Sequence, residues 1–234
     1  ASFQWSPSGA SAVFFADRHW HALDARDGSL RNLTASLPVS FADEEDDTPD
    51  PAPAYGAAGW TKDSAAFLVY DRFDVWQLFA DGRAPRNLTE GEGRRSKTIY
   101  RVERTDPVDE DDDERGFDPA KPLTLRGEND LTHETGFYRD AFDGTAAPAK
   151  LLSADRNFRY VGRAREADAL LVTAQRFDEF PDVHLTDSTF RTLTKLTNGG
   201  AQMAPFLWGR AELVDFTNSD GVRLQAGLIK PDNF

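Results

Sequence analysis

The sequence predicts an all-β fold, a partial β-propeller of about four to five four-stranded blades, from three observations. First, Trp5 and Trp60 open two similar segments 55 residues apart, and a short apolar run follows each of them. Second, the motif Arg-Asn-Leu-Thr at 31–34 recurs at 86–89, with a weaker copy at 194–197. Third, the predicted strands are short, have a period of two and are separated by turn residues. Strand–turn units of about 40–50 residues are typical of propeller blades.

Each repeated unit is predicted to contain its strands and turns in the same order. A turn such as Pro-Ser-Gly precedes a short apolar strand, and an alternating strand such as 74–78 follows. An Asp-Gly turn comes next, at 27–28, 81–82 and 143–144, where glycine supplies the positive φ that tight hairpins need. A short Leu-Thr strand ends the unit. The predicted blades cover about 1–36, 55–91, 97–153 and 156–198, and residues 201–216 would begin a fifth.

Four segments permit a second interpretation. Residues 32–34 and 87–89 match the N-glycosylation sequon, but their equivalent positions in the repeat favour a structural role at outer-strand ends. The acidic segments 43–47 and 109–114 are predicted to be exposed loops, because dense like charge lacks apolar partners. A calcium site is the alternative for these two, although neither has the spacing of a calcium-binding loop.

Composition excludes several classes of function. The 234-residue chain has a net charge of −13, which disfavours nucleic acid and anionic membranes as partners. It has no cysteine, which rules out disulfides, thiolate metal sites and a cysteine nucleophile. No apolar run approaches the ~20 residues of a membrane helix. No signal peptide opens the chain, although one could have been removed, and the compartment stays open.

The sequence offers no catalytic, cofactor-binding or metal-binding residue that can be assigned. No G-x-S-x-G pentapeptide occurs, and the serines in polar turns are Ser153, Ser188 and Ser219. The four histidines are predicted at the surface or at blade edges: His19, His21, His133 and His184. His19 and His21 share one strand face, but a metal site there would need ligands that the sequence does not identify. No cofactor is therefore expected.

Asp71 and Asp74 lie at the end of a predicted inner strand, around Arg72 and Phe73. Such positions are able to face the central channel of a propeller, where paired carboxylates would bind a ligand. The alternative is a structural role, either hydrogen bonding within the hairpin or an ion pair with Arg72. The sequence favours the structural role.

The last segment carries the most specific pattern. Residues 212–231 predict a hairpin with an Asp-Gly turn that ends at a proline. This segment resembles the junction of the prolyl oligopeptidase family of serine peptidases, which includes dipeptidyl and acylaminoacyl peptidases. There a propeller is followed by E-x-x-x-[FW]-x-[ST]-x-D-G-x-x-L-x-[AG]-x-[LI]-x-x-P. The positions that fit are Glu212, Phe216, Asp220, Gly221, Leu224, Leu228 and Pro231. Residues 121–138 are similar to a blade of bacterial members.

The resemblance implies a domain division and a function. Residues 1–211 would be propeller blades, and 212–234 would be the first strands of an α/β-hydrolase domain. The family's catalytic triad would lie beyond Phe234, so none of its residues can be assigned here. The resemblance implies a part of a peptidase that limits the access of short peptides, and it slightly favours a periplasmic or secreted protein over a cytoplasmic one. The alternative is an independent propeller that binds a protein or ligand. An open set of blades is also expected to self-associate or to close in an unusual way.

Overall fold

A computed structural model describes residues 3–106 and 116–231. The first two sheets have four strands each, in the order of the chain. Sheet 1 contains β1 (Gln4–Trp5), β2 (Ser11–Ala16), β3 (His19–Asp24) and β4 (Leu30–Asn32). Sheet 2 contains β5 (Ala57–Trp60), β6 (Phe67–Tyr70), β7 (Val75–Leu78) and β8 (Arg86–Asn87). All strand pairs in these sheets are antiparallel.

Two further four-stranded sheets follow the helix α1 (Glu92–Ser96). Sheet 3 contains β9 (Thr98–Val102), β10 (Leu123–Asn129), β11 (Thr135–Asp140) and β12 (Ala149–Ala154). Sheet 4 contains β13 (Asn157–Arg163), β14 (Leu170–Arg176), β15 (Glu179–Thr186) and β16 (Thr194–Lys195). The four sheets coincide with the four units that the repeats predict, which confirms the all-β fold built from propeller blades.

A 3-10 helix (Gly199–Gln202) and a separate hairpin end the described chain. The hairpin pairs β17 (Arg210–Thr217) with β18 (Arg223–Lys230) in an antiparallel register from Arg210 opposite Lys230 to Thr217 opposite Arg223. Gly221 has a φ of 80° in its turn, as the Asp-Gly sequence predicts. Among the described residues, no helix is both long and apolar enough to cross a membrane.

The chain divides into two compact units, and the boundary runs through sheet 3. The first unit contains the residues up to Asp130 together with Phe137–Lys150. The second contains Leu131–Gly136 and the residues from Leu151 onward.

The core of the first unit explains why β6 is apolar at every position. Phe67 and Val69 pack into one buried cluster, which also contains Trp20, Trp60 and Trp76. The intervening Leu68 and Tyr70 pack into a second cluster with residues of sheet 3. A strand covered on both faces reads as a continuous apolar run rather than an alternating one. Truncating such a buried side chain as Phe67 to alanine costs about 3–5 kcal/mol.

The Arg-Asn-Leu-Thr motif has a contact for each of its residues. The guanidinium of Arg31 donates to the carbonyl of Ala80 at 2.8 Å, and Arg86 makes the equivalent bond to Phe142 at 3.2 Å. Each arginine thus reaches the Asp-Gly turn of the next sheet. The side-chain oxygen of Asn32 accepts two backbone N–H groups. Leu33 is buried.

Three Asp-Gly turns have the predicted backbone geometry. Gly28, Gly82 and Gly144 have φ values of 73°, 89° and 57°, in the region that favours glycine. These turns join the third and fourth strands of sheets 1 to 3 and set the position at which the arginine contacts are made. The outer strands are therefore held both by pairing and by side-chain contacts to the next blade.

Candidate functional site

The carboxylates of Asp71 and Asp74 are buried in the turn between β6 and β7. Asp71 Oδ1 accepts the backbone N–H groups of Phe73 and Asp74, each at 2.7 Å. Its Oδ2 accepts the indole N–H of Trp76 at 3.2 Å and lies 3.5 Å from the guanidinium of Arg94. Both oxygens of Asp71 are thus used to shape the turn.

Asp74 ties this turn to the outer strand and to α1. Its Oδ1 accepts the hydroxyl of Thr89 at 2.6 Å and the backbone N–H of Gly93 at 3.0 Å, while Oδ2 accepts that of Arg94 at 3.3 Å. Burial raises the pKa of Asp74, the hydrogen bond from Thr89 opposes this, and the charge of Asp71 adds to it. The pair is therefore engaged by its own hairpin, by Thr89 and by α1, in the structural role that the sequence favours.

Arg72 does not pair with either of these aspartates. Its guanidinium instead lies 2.8 Å from Glu45, in the first acidic segment, and 2.9 Å from Asp130. Hydrogen bonding within the hairpin is therefore the structural role that is observed, and the ion pair with Arg72 is not. The second acidic segment, 109–114, lies outside the described residues. In residues 3–106 and 116–231, no three His, Asp or Glu side chains are grouped to hold a metal ion.

The same carboxylate–threonine contact recurs in sheet 4. Asp182 accepts the hydroxyl of Thr197 at 2.7 Å, the N–H of Gly199 at 2.6 Å and the ammonium of Lys195 at 2.7 Å. The hydrogen bond from Lys195 holds the pKa of Asp182 well below its usual range. The sequence match of residues 72–74 with 176–178 would place Asp178 opposite Asp74, so the equivalence of Asp182 is seen only in the structure.

The threonines of the Leu-Thr motif have a second shared contact. Their hydroxyl oxygens accept a backbone N–H from the third strand of the same blade. The three bonds are Trp20 to Thr34 at 3.1 Å, Val75 to Thr89 at 3.2 Å and Val183 to Thr197 at 2.9 Å. In sheet 1 the carboxylate is replaced by His19, whose Nδ1 lies 3.2 Å from the Thr34 hydroxyl. His19 thus occupies a structural position.

The remaining histidines and serines are not brought together. His21 Nε2 contacts the carbonyl of Ala16, and His184 Nδ1 contacts that of Asp182. His133 is exposed in a turn, with a φ of 58°. Ser188 donates its hydroxyl to Asp168 at 2.7 Å, whereas Ser153 is half-buried in β12 and Ser219 is exposed in the final turn. These contacts join His21, His184 and Ser188 to backbone carbonyls or to an aspartate rather than to one another.

An apolar cavity of about 390 Å³ lies in the second unit. It is formed by the turn between β14 and β15 and by the segment after the 3-10 helix. Its aromatic residues are Phe177, Phe180, Phe206 and Trp208, and the other lining residues are Arg176, Glu179, Pro181, Gln202 and Met203. Sequence analysis did not identify this cavity. The available signal was the cluster of aromatic residues at 177–180 and 206–208, in turns where exposed rings are unexpected.

Two contacts hold the walls of this cavity. The indole N–H of Trp208 donates to the carbonyl of Phe177 at 2.7 Å, and the two ring centroids are 6.4 Å apart. The ring of Phe180 lies against Gly199, where an added Cβ would come within 2.3 Å of the ring. Phe180 and Trp208 nevertheless remain 40% and 49% exposed, so their apolar surface is available to a ligand.

Comparisons with known proteins identify the fold. No protein-family profile and no curated protein sequence matches the chain. The structure is similar to a putative dipeptidyl aminopeptidase IV from Bacteroides ovatus, with a TM-score of 0.57 and 12% identity over 100% of this chain and 34% of that chain. It is also similar to a puromycin hydrolase, with a TM-score of 0.52 and 12% identity over 96% of this chain and 32% of that one. The chain therefore spans about one third of either structure.

The resemblance to the prolyl oligopeptidase family is thereby confirmed as a similarity of fold. At 12% identity the similarity extends to the architecture of the blades. The described site accordingly combines the hydrogen-bonded carboxylates of Asp71, Asp74 and Asp182 with a preformed apolar cavity.

Proposed function

We propose that this chain is the non-catalytic propeller portion of a prolyl oligopeptidase-type serine peptidase, and that it limits the access of short peptides to a catalytic domain elsewhere in the protein. The observation that carries the proposal is the fold similarity, which extends over 96–100% of this chain and about one third of two hydrolases that act on peptides or puromycin by name. The hairpin of β17 and β18 supports it, because its sequence fits the family's junction pattern at every specified position except Asn218.

A gate that selects by size has to be stiff, because a flexible wall would deform around longer substrates. The contacts of the blades support such stiffness. β6 is buried on both faces, Asp74 connects three backbone segments, and arginines join sheet 1 to sheet 2 and sheet 2 to sheet 3. These contacts support a role in exclusion and require no catalytic group from this chain.

The first test of the proposal is the reading frame that contains this chain. We expect a downstream G-x-S-x-G serine and its histidine and aspartate partners. A frame without any hydrolase domain would refute the proposal and favour an independent binding propeller. Labelling of the isolated chain by a serine-directed phosphonate would also contradict it, since that result requires a nucleophile here.

The second test measures gating in the complete protein. We expect kcat/KM to fall at least tenfold between blocked tripeptides and peptides of about 30 residues. Thr89→Val removes the hydroxyl that binds Asp74 and should weaken this discrimination, while tripeptide hydrolysis stays unchanged. Thr192→Val, at an exposed position, is the matched control. Equal rates for all lengths, or the same discrimination in both variants, would count against a gating role.

A further inference from the structure

The cavity between Phe177 and Trp208 is more than an exposed apolar patch, because it is concave and its walls are held in place. Its volume of about 390 Å³ lies within the range of roughly 300–1,000 Å³ in which proteins bind small ligands. The Trp208 indole is fixed by its bond to the Phe177 carbonyl, and Gly199 makes room for the Phe180 ring. The cavity is therefore formed before any ligand enters.

We propose that this cavity binds an uncharged aromatic side chain of a peptide. Four of the nine lining residues carry aromatic rings, and aromatic side chains contact one another best in offset or edge-to-face arrangements. The choice of a peptide as the ligand rests on the proposed function, and the aromatic preference adds a substrate class to that function. The preference for an aromatic and uncharged group rests on the cavity itself.

The charged groups at the rim favour a neutral occupant. Arg176 forms ion pairs with Asp155 at 3.0 Å and Asp178 at 3.1 Å. Glu179 accepts two hydrogen bonds from the guanidinium of Arg156, at 2.6 and 2.7 Å. These charges are neutralised by neighbours within the same unit. A charged ligand group would lose hydration in the cavity without gaining a counter-charge, so a neutral ring is selected.

The test uses the chain labelled with 5-fluorotryptophan and followed by ¹⁹F NMR. The probe is N-acetyl-Phe-Ala-amide, and N-acetyl-Lys-Ala-amide is the charged comparison. The resonance of Trp208 is assigned by Trp208→Phe. We expect the phenylalanine probe to shift this resonance saturably and to leave the signals of the buried Trp20 and Trp60 in place. The lysine probe should bind at least tenfold more weakly.

Two variants separate a cavity effect from a general loss of apolar surface. Phe180→Ala should weaken binding of the phenylalanine probe at least tenfold. Phe216→Ala removes an aromatic ring of comparable exposure, 47% against 40%, from the hairpin and should change affinity less than twofold. Gly199→Ala displaces the Phe180 ring from its position in the cavity wall and should also weaken binding tenfold. Unchanged amide hydrogen exchange in β14 and β15 confirms that the second unit of each variant is folded.

Several outcomes would overturn the proposal. The proposal is wrong if the shift of the Trp208 signal does not saturate with the phenylalanine probe, or if Phe180→Ala and Phe216→Ala weaken binding equally. It is also wrong if the lysine probe binds as tightly as the phenylalanine probe. It is also wrong if the signal shifts with protein concentration alone and Phe180→Ala abolishes that shift, since the occupant is then a second copy of the chain. Because binding is measured on this chain, its failure is independent of whether a peptidase domain follows.

Discussion

The carboxyl group of Asp140 at the end of β11 gives a sharp prediction about stability and pH. The residue is 6% exposed, its Oδ1 accepts the N–H of Ala141 at 2.8 Å, and its Oδ2 is buried without a hydrogen-bond partner. Burial raises the pKa of Asp140 to about 7, and the nearby charges of Asp143 and Glu90 act in the same direction. A buried carboxyl without a donor favours the protonated form.

The direction of the effect follows from comparing the folded and unfolded chains. The unfolded carboxyl releases its proton near the ordinary value of 3.8, whereas the folded one keeps it until about pH 7. Between these values the folded protein binds more protons, so the free energy of unfolding falls as pH rises, and it levels off above pH 7. At about 1.4 kcal/mol per pH unit, the loss from Asp140 amounts to roughly 4 kcal/mol.

The assay compares urea unfolding of the parent chain and Asp140→Asn between pH 4 and pH 8. Asparagine keeps an oxygen that accepts the N–H of Ala141, and it cannot ionise. Any loss of unfolding free energy caused by burying its amide group is the same at every pH. The stability of the variant relative to the parent should therefore rise by roughly 4 kcal/mol across this range. Asp27→Asn is the control of opposite sign, because hydrogen bonds from Ser29 lower the pKa of Asp27. Parallel profiles for Asp140→Asn and the parent would refute the reasoning.

Two further substitutions test contacts that hold the blades. Thr89→Val leaves the buried Asp74 carboxylate without its hydroxyl donor, so it should lower the free energy of unfolding by about 1–3 kcal/mol, whereas the exposed Thr192→Val should change it by less than about 0.5 kcal/mol. Equal losses of unfolding free energy in the two variants, measured by urea unfolding, would show that the hydrogen bond from Thr89 to Asp74 does not stabilise the fold. Gly136→Ala places a Cβ 2.1 Å from the carbonyl oxygen of Leu152, so the pair β11–β12 should exchange its amide hydrogens at least tenfold faster. An unchanged exchange rate would mean that the added Cβ is accommodated without weakening the pairing of β11 with β12.

The repeat was sufficient to predict the blades because each of its residues has a local and periodic task. Leucine of the Leu-Thr motif enters the core, threonine accepts a bond from the third strand, and arginine reaches the next turn. These tasks recur in successive blades, so they leave a repeated pattern in the sequence. The domain division at residue 212 has no such test within the chain and stays a prediction.

The environment of Asp140 could not be predicted in the same way. Its unusual pKa depends on the absence of a donor near one oxygen, and that absence is a property of packing rather than of spacing. Phe180 and Gly199 are likewise separated in sequence, and their contact follows from the path of the chain after sheet 4. Aspartates and phenylalanines are also frequent in this chain, so composition did not single out Asp140 or Phe180.

The cavity lies beside a turn at which sheets 2 and 4 differ. In sheet 2 the turn after β6 is closed by the hydrogen bonds of Asp71, and its Phe73 ring is 3% exposed, with Arg72 and Lys97 stacked over it at 5.0 and 5.3 Å. In sheet 4 the extra residues lengthen β14 and β15, the turn itself is shorter, and the ring of Phe177 in it is 39% exposed. The positions that keep the repeat build the scaffold. A ligand site is expected at the turn where the repeat is broken, because there the rings are held in place by the scaffold without being covered by it.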